Sequence, residues 1–151
     1  MTPRTTPWLL AALLFFTTAA ARAADLLMVR SPEPFPEAMA TLQEAIREAG
    51  YTVSRVQRVD VGLAAMGYRS DKYRVVFFGR AGEVDRLAEH HPQLIPFLPL
   101  KIALFAQGEE TLAVALDPRR LAGFFDDPAL APVLQRWAAD LERILARVRA
   151  P

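Results

Sequence analysis

Few side chains in this chain of 151 residues are of the types that most often carry catalysis: it has two His, three Ser and no Cys. The lack of Cys closes off disulfide staples, thiol nucleophiles, zinc ribbons, iron–sulfur clusters, CxxCH haem attachment and a lipid-modified N-terminal Cys. His90 and His91 are neighbours, and on a helix adjacent side chains point about 100° apart, so they do not share one metal unaided. Asp85 or Glu89 would have to complete such a site. The plainer role for the pair is a helix C-terminus, where an imidazole complements the last carbonyls. Met28, Met39 and Met66 are soft thioethers that suit copper(I), but scattered methionines commonly fill cores. Ser31, Ser54 and Ser70 lack a GxSxG elbow. Asp60, Asp71 and Asp117 lie near expected strand ends, where carboxylates serve as caps as readily as they form an acid–base pair. Gly79-Arg80-Ala81-Gly82 has neither the spacing nor the Lys of a phosphate-binding loop. These types assign no catalytic residue, no metal ligand and no cofactor.

One stretch has a charge bias. Between Arg55 and Arg80, the six cations Arg55, Arg58, Arg69, Lys72, Arg74 and Arg80 face only Asp60 and Asp71. Strand pairing can gather such residues on one face, where forked guanidinium donors receive a carboxylate or phosphate. The expected ligand-binding set is therefore Arg55, Arg58, Asp60, Arg74 and Arg80, for an anionic small molecule or an acidic protein partner. The opposing expectation is a solvated sheet face, with cross-strand ion pairs supplied by Glu109, Glu110 or the first helix.

The N-terminus reads as an address. Arg4 precedes an apolar stretch from Trp8 through Phe16, and Ala21-Arg22-Ala23 offers small residues at both positions a signal peptidase needs, so residues 1–23 are expected to be cleaved after Ala23. A membrane anchor would need about 20 apolar residues, and the uninterrupted run is well short of that. Loss of Arg4 and Arg22 leaves 16 basic against 17 acidic residues, a formal charge of −1. That balance carries no general attraction for nucleic acid or an anionic membrane. Sixteen Arg against two Lys, with no Asn, fits GC-rich coding, and with the leader it suggests a bacterial periplasmic or secreted protein.

The elements that must position these residues form one domain over 24–151. Leu26 to Arg30 is a short apolar run that ends in Ser31-Pro-Glu-Pro-Phe-Pro, where prolines forbid regular pairing. From Pro36, Ala38, Met39, Leu42, Ala45, Ile46 and Ala49 recur at helical spacing, and Gly50 suits the left-handed C-terminal position. Tyr51 to Arg58 reads as a strand whose valines break strict alternation, as a bulge would cause. Val61 to Gly67 is a turn or a short helical piece. Val75-Val76-Phe77-Phe78 reads as a central strand covered on both faces. Glu83 to His91 is a short polar helix. Lys101–Ala106 and Thr111–Leu116 form a hairpin about a four-residue loop, with the larger Leu112, Val114 and Leu116 expected inside and the smaller residues outside. After Asp117-Pro118 comes a short helical piece. Asp126-Asp127-Pro128 then caps a long helix over 128–149, whose Leu130, Leu134, Trp137, Leu141, Ile144 and Val148 form an apolar seam. That seam either covers the sheet or packs against a second copy, with Trp137 as the anchor of a homodimer.

The order of Ala49-Gly50-Tyr51, Phe77-Phe78-Gly79, Leu98-Pro99-Leu100-Lys101-Ile102, the hairpin and Asp117-Pro118 resembles the bacterial family called domain of unknown function 302 (DUF302), over about Val29 to Leu121. On those motifs the terminal helix falls outside the match. The resemblance implies an α+β fold with a mostly antiparallel sheet of about five strands, in the order β-α-β-β-β-β-α. It further implies small soluble or exported proteins, dimeric, with no established reaction. Two positions depart from the family pattern: an Asp-His pair is here Asp60-Val61, and Phe-Gly-Asn-Pro is here Phe78-Gly79-Arg80-Ala81. The leading expectation is an exported, non-enzymatic binding module. A homodimeric scaffold is the second, and a weak or metal-assisted hydrolase the third.

Overall fold

The computed structural model describes residues 25–125 and 127–151. The expected leader over 1–23 and the capping role given to Asp126 lie outside the described residues. The elements are β1 (Leu26–Ser31), α1 (Phe35–Glu48), β2 (Thr52–Arg58), α2 (Val59–Ala65), β3 (Tyr73–Gly79), α3 (Glu83–His90), β4 (Leu100–Gln107), β5 (Glu110–Leu116) and α4 (Ala131–Arg149). Short 3-10 turns at Pro92–Phe97, Pro118–Gly123 and Pro128–Leu130 join them. The strands form one sheet in the order β1-β5-β4-β3-β2, with every neighbouring pair antiparallel. The α+β expectation, with a helix after the first strand and a long terminal helix, holds.

Local chemistry accounts for the boundaries. Pro36 sits in the first turn of α1, where a missing N–H breaks no helical hydrogen bond. Gly50 ends that helix at a φ of 78°, a conformation that costs glycine nothing. The register shift between Val53 and Arg55 is the expected bulge; it lies on an edge strand, where bulges discourage pairing with another chain. The Asp127 carboxylate accepts the Ala129 N–H at 3.0 Å and caps the turn leading into α4.

Three expectations are corrected. The strand Tyr73–Gly79 is not central: β4 holds the middle, and β3 lies one place in from the β2 edge. Nor is it covered on both faces, because Val76 and Phe78 are fully buried while Val75 and Phe77 remain partly exposed. An apolar run without alternation says that both faces of a strand are hydrophobic, and does not require both to be covered. The hairpin turns on two residues, Gly108 and Glu109, with Gln107 and Glu110 directly paired; Gly108 supplies the positive φ that so tight a turn needs.

The third correction concerns the two faces of β5. Thr111, Ala113 and Ala115 are buried, whereas Leu112 and Val114 are partly exposed and Leu116 is exposed. The smaller residues face inward because α1 and α4 pack on that side and against each other, and short side chains let helices approach a sheet closely. The core joins Leu42 and Ile46 of α1, Val76, Phe78, Ile102 and Leu104 of the sheet, and the seam of α4. Trp137 is 2% exposed and belongs to this core, so it does not anchor a partner. Among the described residues no helix is long and apolar enough to cross a membrane.

Enlarging a small inward residue should therefore hurt more than its exposed neighbours suggest. Ala113→Leu should lose about 1–3 kcal/mol by overpacking and Ile46→Ala about 2–5 kcal/mol by leaving a cavity, both read from urea unfolding. A neutral Ala113→Leu would mean that β5 is turned the other way.

Candidate functional site

The polar residues gather at the two ends of β3. At its start, Arg58 on β2 and Arg74 on β3 are direct partners in the strand register, and both point to the helix-covered side. Two like charges placed opposite each other repel. Asp60, in the first turn of α2, relieves this by pairing with Arg74; the side chains of Asp60 and Arg74 are 17% and 15% exposed. The Arg74 guanidinium also donates to the Tyr73 carbonyl at 3.0 Å and lies 5.8 Å from the centre of the Phe35 ring. The hydrogen bond from Arg74 is the main cause that holds the Asp60 carboxyl below the usual range, helped by the Val61 N–H and the charges of Arg74 and Arg58, against the effect of burial. Asp60 thus stays ionised and does not store a proton for general acid chemistry. Arg58 makes no ion pair of its own among the described residues.

The same end of the sheet is braced by hydroxyls. The buried Ser31 oxygen accepts the Glu33 N–H at 3.2 Å, Thr111 donates to the Glu33 carbonyl at 3.1 Å, and Thr41 donates to the Glu33 carboxylate at 3.0 Å. These bonds hold the proline-rich connection against the sheet, so Ser31 is committed to the fold. Beyond them, Leu63, Tyr68, Arg69, Ser70, Asp71 and Phe105 line an open cleft of about 530 Å³.

A second cluster lies beyond the far end of β3. Asp140 of α4 is 6% exposed and accepts from the Tyr51 hydroxyl at 2.6 Å, from Arg80 at 2.9 Å and from Arg143 at 2.5 Å. Arg80 also donates to the Ala49 carbonyl at 3.2 Å, and its guanidinium carbon is 4.4 Å from the centre of the Tyr51 ring. Burial, then the Asp140 hydrogen bond and charge, push the Tyr51 phenol well above its usual range. Nearby, Arg136 pairs with Glu83, and the Trp137 indole N–H approaches Glu83 at 3.4 Å. The network ties the end of α1, the end of β3 and the middle of α4 into one joint.

The expected site is therefore divided. Arg58, Asp60 and Arg74 come together. Arg55 stands on the opposite face of the sheet, opposite Phe77 in the register, because the bulge shifts its strand by one residue. Arg80 is a full strand length from Arg74 and is held by Asp140. Neither Glu109 nor Glu110 reaches this stretch, since Glu110 pairs with Arg30. In the sequence Tyr51 stands only as a motif and strand-start residue and Asp140 is not singled out, although a signal is present: Asp140 falls three residues after Trp137 and four before Ile144, on the flank of the buried seam. The two histidines diverge, His90 toward the Arg86 carbonyl at 2.8 Å and His91 toward Asp127 at 2.9 Å. Among the described residues no three His, Asp or Glu are placed to hold a metal ion.

Two outcomes test this geometry. Asp140→Ala should cost about 2–3 kcal/mol in urea unfolding and Tyr51→Phe about 1 kcal/mol, since the first strands the buried Tyr51 hydroxyl and takes the carboxylate from Arg80 and Arg143, whereas the second leaves Asp140 bonded to both arginines. A depressed carboxyl favours the fold above its ordinary pKa and loses that contribution as pH falls through the lower, folded value. Asp60→Asn should accordingly flatten the acid side of the melting temperature against pH below the ordinary value of 3.8, and leave its shape near neutrality unchanged.

The comparisons agree with this architecture. The family described as Domain of unknown function DUF302 matches residues 27–148, a span that takes in α4 as well, so the terminal helix lies inside the family match and not outside it. No curated protein matches the chain. A solved structure, the "uncharacterized conserved protein DUF302 from Bacillus stearothermophilus", is similar at 23% identity over 84% of this chain and 100% of that one, with a TM-score of 0.76. At that identity the likeness concerns the fold. With the family match running from β1 nearly to the end of α4, the chain belongs to the DUF302 family.

Proposed function

We propose that this protein is an exported, non-enzymatic binding module that takes an anionic small molecule or an acidic protein segment at the Arg58–Asp60–Arg74 end of the sheet. The observation that carries the reading is the register: two arginines stand side by side on β2 and β3, and the Asp60 carboxylate pairs with Arg74. Among the described residues Arg58 keeps its forked donors uncommitted, the arrangement a carboxylate or phosphate oxygen pair fits. Arg69 and Lys72, in the connection from α2 to β3, add positive charge at the same end without ion pairs among the described residues. The neighbouring hydroxyls and carboxylates support a binding role over a catalytic one, because Ser31, Glu33 and Asp60 are engaged in bonds that hold the fold. Export to the bacterial envelope rests on the leader sequence, with Arg4 ahead of the apolar stretch and Ala21-Arg22-Ala23 behind it.

Thermal unfolding with citrate, inorganic phosphate and a short acidic peptide as probes tests the reading. A ligand present at a hundred times its dissociation constant stabilises by about 2.7 kcal/mol. At least one probe should raise the melting temperature of the wild type, and Arg58→Ala should abolish most of that rise while melting normally alone. No shift with any probe, or an undiminished shift in Arg58→Ala, overturns the proposal.

A further inference from the structure

β1 is an edge strand with one free side. It pairs with β5 alone, and among the described residues no other strand lies along its outer edge. The Asp117 N–H donates to the Asp25 carbonyl at 3.0 Å, and these two residues continue the register of Leu26 and Leu116, so they form a hydrogen-bonded pair of the antiparallel ladder. Bonded and non-bonded pairs alternate along such a ladder. Leu27, Val29 and Ser31 therefore turn their backbone groups to β5, whereas Leu26, Met28 and Arg30 turn theirs to the free edge. Natural edges are commonly blunted by a bulge, a proline or charge. β2, at the other edge, has a bulge and two arginines. β1 has neither bulge nor proline, and its one charged residue, Arg30, stands near its end and pairs with Glu110.

A groove runs beside that edge. Residues 27–29 line one wall, and Glu142, Leu145, Ala146 and Arg149 of α4 line the other, around a space of about 270 Å³. Met28 points to the opposite sheet face from its two neighbours, so a single space that touches all three lies alongside the strand and not on either face. The four helix residues are three and four apart, one stripe of α4 turned toward the strand. The space is smaller than the roughly 300–1,000 Å³ of small-molecule pockets. It suits instead the side chains of an added strand, whose backbone would bond Leu26, Met28 and Arg30 while alternate side chains turn to α4. Leu27, Leu145 and Ala146 match apolar side chains there. Arg149 has no ion pair among the described residues, while Glu142 is taken by Arg119, so a carboxylate on the same side of the added strand finds a partner. A second copy does not supply it, because β1 reads Leu-Leu-Met-Val-Arg-Ser and carries no acid.

We infer that the β1 edge and the α4 stripe beside it form a strand-addition site, which takes an extended segment of another protein with alternating apolar side chains and a carboxylate on the side facing α4. The site lies at the opposite edge of the sheet from β2 and stands independently of the Arg58–Asp60–Arg74 reading. The probes are the fluorescein-labelled, acetylated peptide Thr-Val-Thr-Val-Thr-Glu and its counterparts with Leu or Phe for Val, titrated into the full chain and followed by anisotropy. At least one should bind at micromolar concentrations. Met28→Pro removes an outward N–H and leaves the bonds to β5 in place, and Ala146→Trp fills the groove; each should weaken binding about tenfold or more. Arg149→Glu should weaken it as well, and a peptide ending in Lys should restore it. In hydrogen exchange the Met28 and Arg30 amides, unprotected in the chain alone, should become protected with peptide, which separates this site from any other cationic surface. No binding by any of the three peptides overturns the inference, as does binding that survives both Met28→Pro and Ala146→Trp or that leaves those amides unprotected. Amides already protected without peptide, by a second copy or by residues 1–24, overturn it too. Should Met28→Pro fail to fold, Ala146→Trp and the exchange pattern still decide.

Discussion

Burial of one face of a five-stranded antiparallel sheet under α1 and α4 is the constraint on which the rest of this structure depends. Strand side chains alternate, so once Val76, Phe78, Ile102 and Leu104 are committed to the helices, Val75, Phe77, Ala103 and Phe105 are committed to the opposite side. The small residues of β5 follow from the same packing, since α1 and α4 also pack on each other and need room to settle on the sheet. Where a polar group lands is then decided by register and not by the chemistry of the group.

The two ends of β3 show different solutions to charge at the boundary of that core. At one end the pairing brings Arg58 opposite Arg74, and the first turn of α2 returns Asp60 to neutralise one of them. At the other, Asp140 enters from α4 with little exposure and is satisfied by a phenol and two guanidinium groups. A carboxylate so surrounded offsets the cost of its burial by several charge-assisted bonds, and removing Asp140 leaves the buried Tyr51 hydroxyl stranded. Among the described residues the first cluster retains a cation without an ion pair, whereas in the second each charged group is answered. That asymmetry is why the first is the more suitable place for an anion.

Much of the fold was legible in advance because its signals are local. Pro36 and Gly50 bracket α1, the broken alternation of Val53, Val56 and Val59 marks the bulge region, and the four-and-three spacing of the seam outlines α4. The errors arose where a local pattern is symmetric. Leu112, Val114 and Leu116 alternate with Thr111, Ala113 and Ala115 whichever set is inside, and size alone pointed the wrong way. The continuous run Val75–Phe78 told that both faces are apolar but not that one of them lacks a helix. Asp140 was hidden because a single acid on a long charged helix looks like part of a solvated face until its neighbours are known.

The sequence by itself determined the set of elements, their order, the lack of thiol chemistry and the cationic bias between Arg55 and Arg80, since each follows from residue type and short-range spacing. Only the tertiary structure decided how that bias is distributed. Strand order, a one-residue bulge and the side on which the helices lie sent Arg55 to one face, Arg58 and Arg74 to the other, and Arg80 to Asp140, some sixty residues away in the chain. Those are long-range relations, fixed by which surfaces bury each other, and no window of sequence contains them.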